Sequence, residues 1–255
     1  MIFESDFGKV YYNISGNGPV IVLLHGWGQD STTFSEIIKR MSNRYTILSI
    51  DWLGFGKSDD PIKPLNVDDY VDVLESLLEH LQIHKPIILG HSFGGRIAIK
   101  YFVKTKNALM LILVSSAGIK PKRNIKYYYR VYKFKFLKRI YLLLKLNKKL
   151  SKLYQNSGSK DYQNANLIMK QTLSKVVNED LTPLLSQIKI PTYLLWGIDD
   201  EIVPYKDALL FKKYIPDASL ITFYYSGHFP YITEQEKFIK VLNHILSSGG
   251  LHGKF

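Results

Sequence analysis

The stretch Pro86-Ile87-Ile88-Leu89-Gly90-His91-Ser92-Phe93-Gly94-Gly95-Arg96-Ile97-Ala98-Ile99-Lys100-Tyr101-Phe102-Val103 decides how the chain is read. Its first four residues are an apolar run, as in a buried strand, and residues 96–103 read as a helix. Between them stands G-x-S-x-G, a pattern whose meaning depends on that strand-to-helix context. A serine on so sharp a turn takes a strained backbone. Its neighbours must be glycines, because side chains there would meet the strand and the helix. The hydroxyl then stands at the C-terminal edge of a sheet, over a helix N-terminus that favours developing negative charge.

The same alternation extends outward in both directions. Lys9–Ser15, Val20–Leu24, Thr46–Ile50, Leu109–Val114, Thr192–Trp196 and Ser219–Tyr224 have strand character. Helices are predicted from a Ser31 cap to Ser42, over Val67–Leu81, near Asp207–Tyr214 and from about Glu234 to Leu246. Strands alternating with helices imply an α/β fold with a doubly wound, mostly parallel sheet. In such sheets the active groups collect at the carboxyl ends of the strands. His25, Asp51, Ser92 and Ser115 all sit there.

The alternation fails from about Ile119 to Leu185. Tyr127–Leu150 and Asn164–Val177 look helical, with Asn156-Ser157-Gly158-Ser159 between them. The core is therefore expected over 1–118 and 186–247, the insertion over 119–185, and a loose tail over 248–255. The net charge of +12 belongs to that insertion. From Lys120 to Asp180, 16 Lys/Arg stand against three acids, +13, and the rest of the chain sums to −1. The bland reading is a helix with solvated lysines and an apolar stripe over the site. The sharper one is an interfacial helix drawn to anionic membranes or an anionic substrate. Nucleic acid is not expected, since no binding motif accompanies the charge.

There is no cysteine among the 255 residues, which excludes disulfides, thiolate metal sites and a cysteine nucleophile. Met1–Asp6 has no basic region followed by an apolar core, and no run of about 18 apolar residues occurs. A cytoplasmic protein is expected. No metal-ligand spacing is present, and Gly54-Phe55-Gly56 lacks the continuation of a dinucleotide fingerprint, so no cofactor is expected.

A serine hydroxyl needs a base to take its proton. His228, in Ser226-Gly227-His228-Phe229-Pro230, is the candidate. The base needs an acid to fix its tautomer. Asp200 is the candidate, in Trp196-Gly197-Ile198-Asp199-Asp200-Glu201, with Asp199 open beside it. An attacked carbonyl needs two backbone donors, and the amides of Phe93 and Trp27 are placed to supply them; losing one such donor costs about 3–4 kcal/mol of barrier. His25 reads as a prop for the oxyanion loop, His91 as packing beside the elbow and Asp51 as the stabiliser of its own turn. His80, His84, His244 and His252 read as ordinary surface or helix-end residues.

His25-Gly26-Trp27-Gly28, Asp51-x-x-Gly54-x-Gly56-x-Ser58, Gly90-x-Ser92-x-Gly94-Gly95, Asp200-x-x-Val203-Pro204 and Gly227-His228 follow one another in order. Together they make the chain resemble the α/β-hydrolase superfamily, in its capped, cofactor-free serine hydrolase/esterase group. The resemblance implies an eight-stranded sheet, a helical cap (lid) over the site near 119–185 that supplies the substrate-binding residues, and Asp200 rather than Asp199 as the acid. It also implies hydrolysis of small to medium acyl or aryl esters through an acyl-enzyme. Family members that act as haloalkane dehalogenases or epoxide hydrolases carry Asp where this chain has Ser92. Carbon–carbon bond hydrolysis of a diketone-like substrate and slow-turnover binding on the same fold are the alternatives.

Overall fold

The computed structural model describes residues 1–120, 125–155 and 165–248. The Asn156–Ser159 break, His252 and all of the expected tail except Ser248 lie outside them. Eight strands form one sheet: β1 (Ile2–Ser5), β2 (Gly8–Ser15), β3 (Val20–Leu24), β4 (Thr46–Ile50), β5 (Ile87–His91), β6 (Met110–Val114), β7 (Thr192–Gly197) and β8 (Ala218–Phe223). Their order is β1-β2-β4-β3-β5-β6-β7-β8. The β1–β2 and β2–β4 pairs are antiparallel and all others are parallel. β1 is an addition to the strands read from the sequence. It is a four-residue edge strand with no buried side chain, so it carries little of the hydrophobic signal that marks the inner strands.

The inner strands are apolar on both faces because both are covered. Val22, Leu24, Leu48, Ile50, Ile88, Leu111, Leu113 and Trp196 point to one face. There they meet α2 (Val67–His80), α3 (Phe93–Thr105) and α8 (Tyr205–Tyr214) through residues such as Tyr70, Ile97 and Phe211. Ile21, Leu23, Ile47, Leu89, Ile112 and Leu195 point to the other, onto α1 (Ser35–Met41) and α10 (Gln235–Ser248). α2 begins on a capping box: the Asn66 side chain accepts from the Asp69 amide, and the Asp69 carboxylate accepts from that of Asn66. The helix expected from Ser31 begins differently. A 3₁₀ turn at Ser31–Phe34 comes first, and Asp30 caps it by accepting from the Thr32 amide.

Between β6 and β7 lie α4 (Ile125–Leu143), α5 (Asn147–Gln155), α6 (Leu167–Val176) and α7 (Thr182–Leu185). The single helix expected over Tyr127–Leu150 is two. Lys145 takes φ +50°, the Leu146 amide reaches back to the Tyr141 carbonyl at 2.8 Å, and the Lys145 amide reaches that of Leu142 at 3.2 Å. This is a Schellman ending, with lysine where glycine usually stands. α6 is tied to the core: Thr172 Oγ1 accepts the Leu65 amide at 3.0 Å and Lys175 Nζ donates to the Pro64 carbonyl at 2.6 Å. α4 packs chiefly on α5, and none of its described side chains is fully buried. Its half-buried Val131, Phe134, Leu137 and Tyr141 form one apolar side.

The two-faced core gives a stability prediction. Phe238 on α10 is fully buried in the second cluster. Phe238→Ala should lose about 3–5 kcal/mol in urea unfolding. Tyr132→Ala on the exposed side of α4 should stay within about 0.5 kcal/mol of the parent.

Candidate active site

Ser92 joins β5 to α3 with φ +50° and ψ −108°. Such a conformation costs about 1–3 kcal/mol and persists only where its surroundings enforce it. Here they do. The Ser92 amide donates to the Val114 carbonyl at 3.0 Å, and its carbonyl accepts from Gly95 at 3.1 Å and Ala117 at 3.0 Å. A β-carbon on Gly94 would collide with the Leu24 carbonyl, and one on Gly95 with the Ser116 hydroxyl. The elbow is thus wedged against the ends of β3 and β6, and only glycine fits at those two positions.

His228 is buried and lies beside this elbow. Its ring centroid is 4.7 Å from that of His91, the residue before Ser92. Its Nδ1 lies 2.9 Å from Asp200 Oδ2 and 3.1 Å from Oδ1. A carboxylate can only accept, so Nδ1 carries a hydrogen, and in the neutral ring the lone pair is on Nε2. Asp200 Oδ1 also accepts the amides of Ile202 at 2.9 Å and Val203 at 2.8 Å. Burial by itself would raise the Asp200 carboxyl. The hydrogen bond and charge of His228, with the Val203 amide, outweigh burial and hold it below the usual carboxylate range. Asp199 is exposed, and its amide donates to the Ser226 carbonyl at 3.2 Å.

Trp27 and Phe93 stand next to each other, their rings edge to face at 5.5 Å. Their backbones follow β3 and Ser92, so the two turns flank the serine. His25 is fully buried behind them. Its Nε2 accepts the Trp52 amide at 3.0 Å, so its Nδ1 donates to the Gly26 carbonyl at 2.8 Å. Burial pushes its pKa down to about 4. Asp51 closes the adjoining turn through the amides of Ser31 at 2.8 Å and Lys57 at 2.9 Å.

His91 does more than pack. Its Nε2 lies 2.9 Å from the His228 carbonyl, which can only accept, so Nε2 carries the hydrogen. Its Nδ1 faces the Gln29 side-chain Oε1 at 3.1 Å and the Tyr231 hydroxyl at 3.3 Å. Burial, then the neighbouring His228, pushes His91 down to about 3. Gln29 and Tyr231 were not singled out from the sequence, and neither sits in a motif or periodic pattern that would reveal it. Among the described residues no cluster of His, Asp and Glu could hold a metal ion.

A cleft of about 430 Å³ opens beside Trp27, lined by Gly28, Gly54, Phe55, Asp60, Ala165, Asn166 and Met169. Among the described residues, the inserted segment contributes Ala165, Asn166 and Met169, and core loops contribute the rest. A second hollow, about 390 Å³, lies at the opposite end of β3 and β5, around Val20, Lys85 and Ile87, away from Ser92.

The family model of the alpha/beta hydrolase fold matches residues 19–137 and 134–235. The pimeloyl-[acyl-carrier protein] methyl ester esterase of Proteus mirabilis is 28% identical over 258 residues, covering 92% of this chain and 95% of that protein. The esterase EaEST from Exiguobacterium antarcticum has a TM-score of 0.78 at 23% identity, over 96% of this chain and 98% of its own. The meta-cleavage product hydrolase of Pseudomonas fluorescens IP01 has a TM-score of 0.75 at 19% identity, over 98% of both chains. At such identities the two structures share the fold with this chain.

The two depressed histidines set an acid limit on stability. Both are neutral in the fold and titrate near 6.5 when unfolded, so below that pH the unfolded chain binds more protons. Their contribution is fully present above pH 6.5 and is lost as the pH falls toward 4 and then 3. Urea unfolding at pH 5.5 should give about 2–3 kcal/mol less stability than at pH 7.5. An unchanged midpoint would contradict two neutral buried imidazoles.

Proposed function

Because the chain belongs to the alpha/beta hydrolase fold family, we propose that it is a serine hydrolase cleaving carboxylic esters of small to medium acyl or aryl groups. The observation that carries this reading is His228, held through Nδ1 on the Asp200 carboxylate beside the strained Ser92 elbow. In that arrangement Nε2 is the free basic atom of the site.

The reaction follows from these groups. Ser92 Oγ attacks the ester carbonyl while His228 Nε2 takes its proton. The oxyanion is held by the Trp27 and Phe93 amides, aided by the N-terminus of α3. His228 then gives the proton to the departing alcohol, leaving an acyl group on Ser92. Water, deprotonated by the same nitrogen, releases the acid. Asp200 stays ionised throughout and stabilises the imidazolium. Trp27, Phe55 and Met169 give the adjoining cleft an apolar wall, and its volume suits a compact acyl or aryl group. The esterase of Proteus mirabilis, related along nearly the whole chain, supports ester chemistry.

The test is a profile of nitrophenyl esters of increasing acyl length, beside a vinylogous diketone. Multiple turnovers on short esters and none on the diketone are expected. Preference for the diketone would replace the ester reading with carbon–carbon cleavage. Ser92→Ala should lose on the order of 10⁶ in kcat. Asp200→Asn should lose on the order of 10⁴. Asp199→Asn should retain most activity, and the reverse ranking would move the acid by one residue.

A further inference from the structure

Among the described residues, the helix α4 shows two apolar faces, one half-buried and one exposed. Val131, Phe134, Leu137 and Tyr141 lie on one side and are half-buried. Ile125, Tyr129, Tyr132, Phe136 and Leu143 lie on the other and are 65 to 87% exposed. At about 100° per residue these five fall within an arc of about 60°. Leu142 and Leu144 continue the exposed apolar surface around the turn into α5. Large aromatic and aliphatic side chains gathered in this way mark an interaction site, unlike single exposed residues.

The charges bordering the stripe say what it meets. Lys133 flanks it on one side, Lys135 and Arg139 on the other, and Lys145, Lys148 and Lys149 lie past the turn; all six are exposed. From Ile125 to Gln155 the chain has ten Lys/Arg and no acid. The next described acids along the chain are engaged elsewhere: Glu179 pairs with Lys100, and Asp180 accepts from the Thr182 hydroxyl and amide. An apolar stripe between two rows of cations fits the boundary of an anionic bilayer. There the rings and leucines enter the acyl region and the long basic side chains reach the headgroups. A nucleic acid would meet the cations but leave five apolar side chains facing phosphate. Among the described residues no helix is long and apolar enough to cross a membrane, so the contact lies in the surface plane.

We propose that the outward face of α4, with the Leu142–Leu144 turn, docks this protein on anionic lipid bilayers. The docking stands on this face alone and does not depend on which bond the site cleaves.

Flotation of the full chain with vesicles tests it. The vesicles are phosphatidylcholine alone, or phosphatidylcholine with about a third phosphatidylserine. At about 50 mM salt the protein should float with the anionic vesicles at least tenfold more than with the neutral ones. Raising the salt to about 500 mM should release most of it, since exposed charges are then screened. Phe136→Asp and Leu143→Asp should each cut anionic binding about tenfold or more, with thermal unfolding and nitrophenyl ester turnover unchanged. No flotation with anionic vesicles at low salt overturns the proposal. So does flotation that falls with salt but ignores both aspartate substitutions, because the apolar face is then idle. Two further results overturn it as well: a lipid-free dimer that Leu143→Asp dissolves, which makes a second copy the occupant, and duplex DNA binding that outcompetes the vesicles.

Discussion

The close approach of α3 to the end of β3 is the constraint on which the site depends. Gly94 lies against the Leu24 carbonyl, with no room for a β-carbon. That contact lets the helix start directly beneath Ser92, and it brings the turn after β3 alongside the turn after β5. The two amides proposed to hold an oxyanion, Trp27 and Phe93, belong to those turns. The strain at Ser92 is sustained because Val114, Gly95 and Ala117 bind its backbone from three directions. A looser contact would let the elbow relax, and the serine and both amides would shift together.

Behind the elbow, two histidines serve as cross-braces. His25 spans from the turn after β3 to the start of the turn after β4, through Gly26 and Trp52. His91 spans from β5 to the loop of His228 and to Tyr231. Each is neutral and each uses both ring nitrogens, one as donor and one toward a polar partner. Burial makes these bonds strong and makes protonation costly, so the same low dielectric rigidifies the frame and limits it at acid pH. His228 differs: its Nδ1 is committed to Asp200, and the chemistry proposed here needs its other nitrogen.

Much of this was legible in the sequence because steric demands leave residue signatures. Strands covered on both faces read as unbroken apolar runs, and the elbow announced itself through Gly90, Gly94 and Gly95. Asp200 and His228 stood in short loops after β7 and β8, where the topology collects groups. The illegible parts lack such signatures. Lys145 ends α4 in a conformation that glycine usually marks, so Tyr127–Leu150 read as one helix. β1 is too short and exposed to show an apolar pattern. Gln29 and Tyr231 are brought to His91 by long-range packing, and spacing along the chain encodes nothing of it. Phe55 lines the cleft from a core turn, where its neighbouring glycines drew the eye instead.

The inserted segment divides its roles, and that division explains its odd composition. α6 is held by Leu65 and Pro64 and sends Met169 against Gly54, so it can wall the cleft. α4 packs chiefly on α5, and none of its described side chains is fully buried. A helix whose only task was to roof the site would need one apolar face, and lysines would solvate the rest. Here the second face repeats Ile, Tyr, Tyr, Phe and Leu at spacings of four, three, four and seven residues. Exposing such side chains to water gains nothing for folding and invites aggregation. The lysines and arginines beside them counter aggregation by mutual repulsion while leaving the apolar stripe open. For the docking proposed on this face, that combination suits a negatively charged, partly apolar surface.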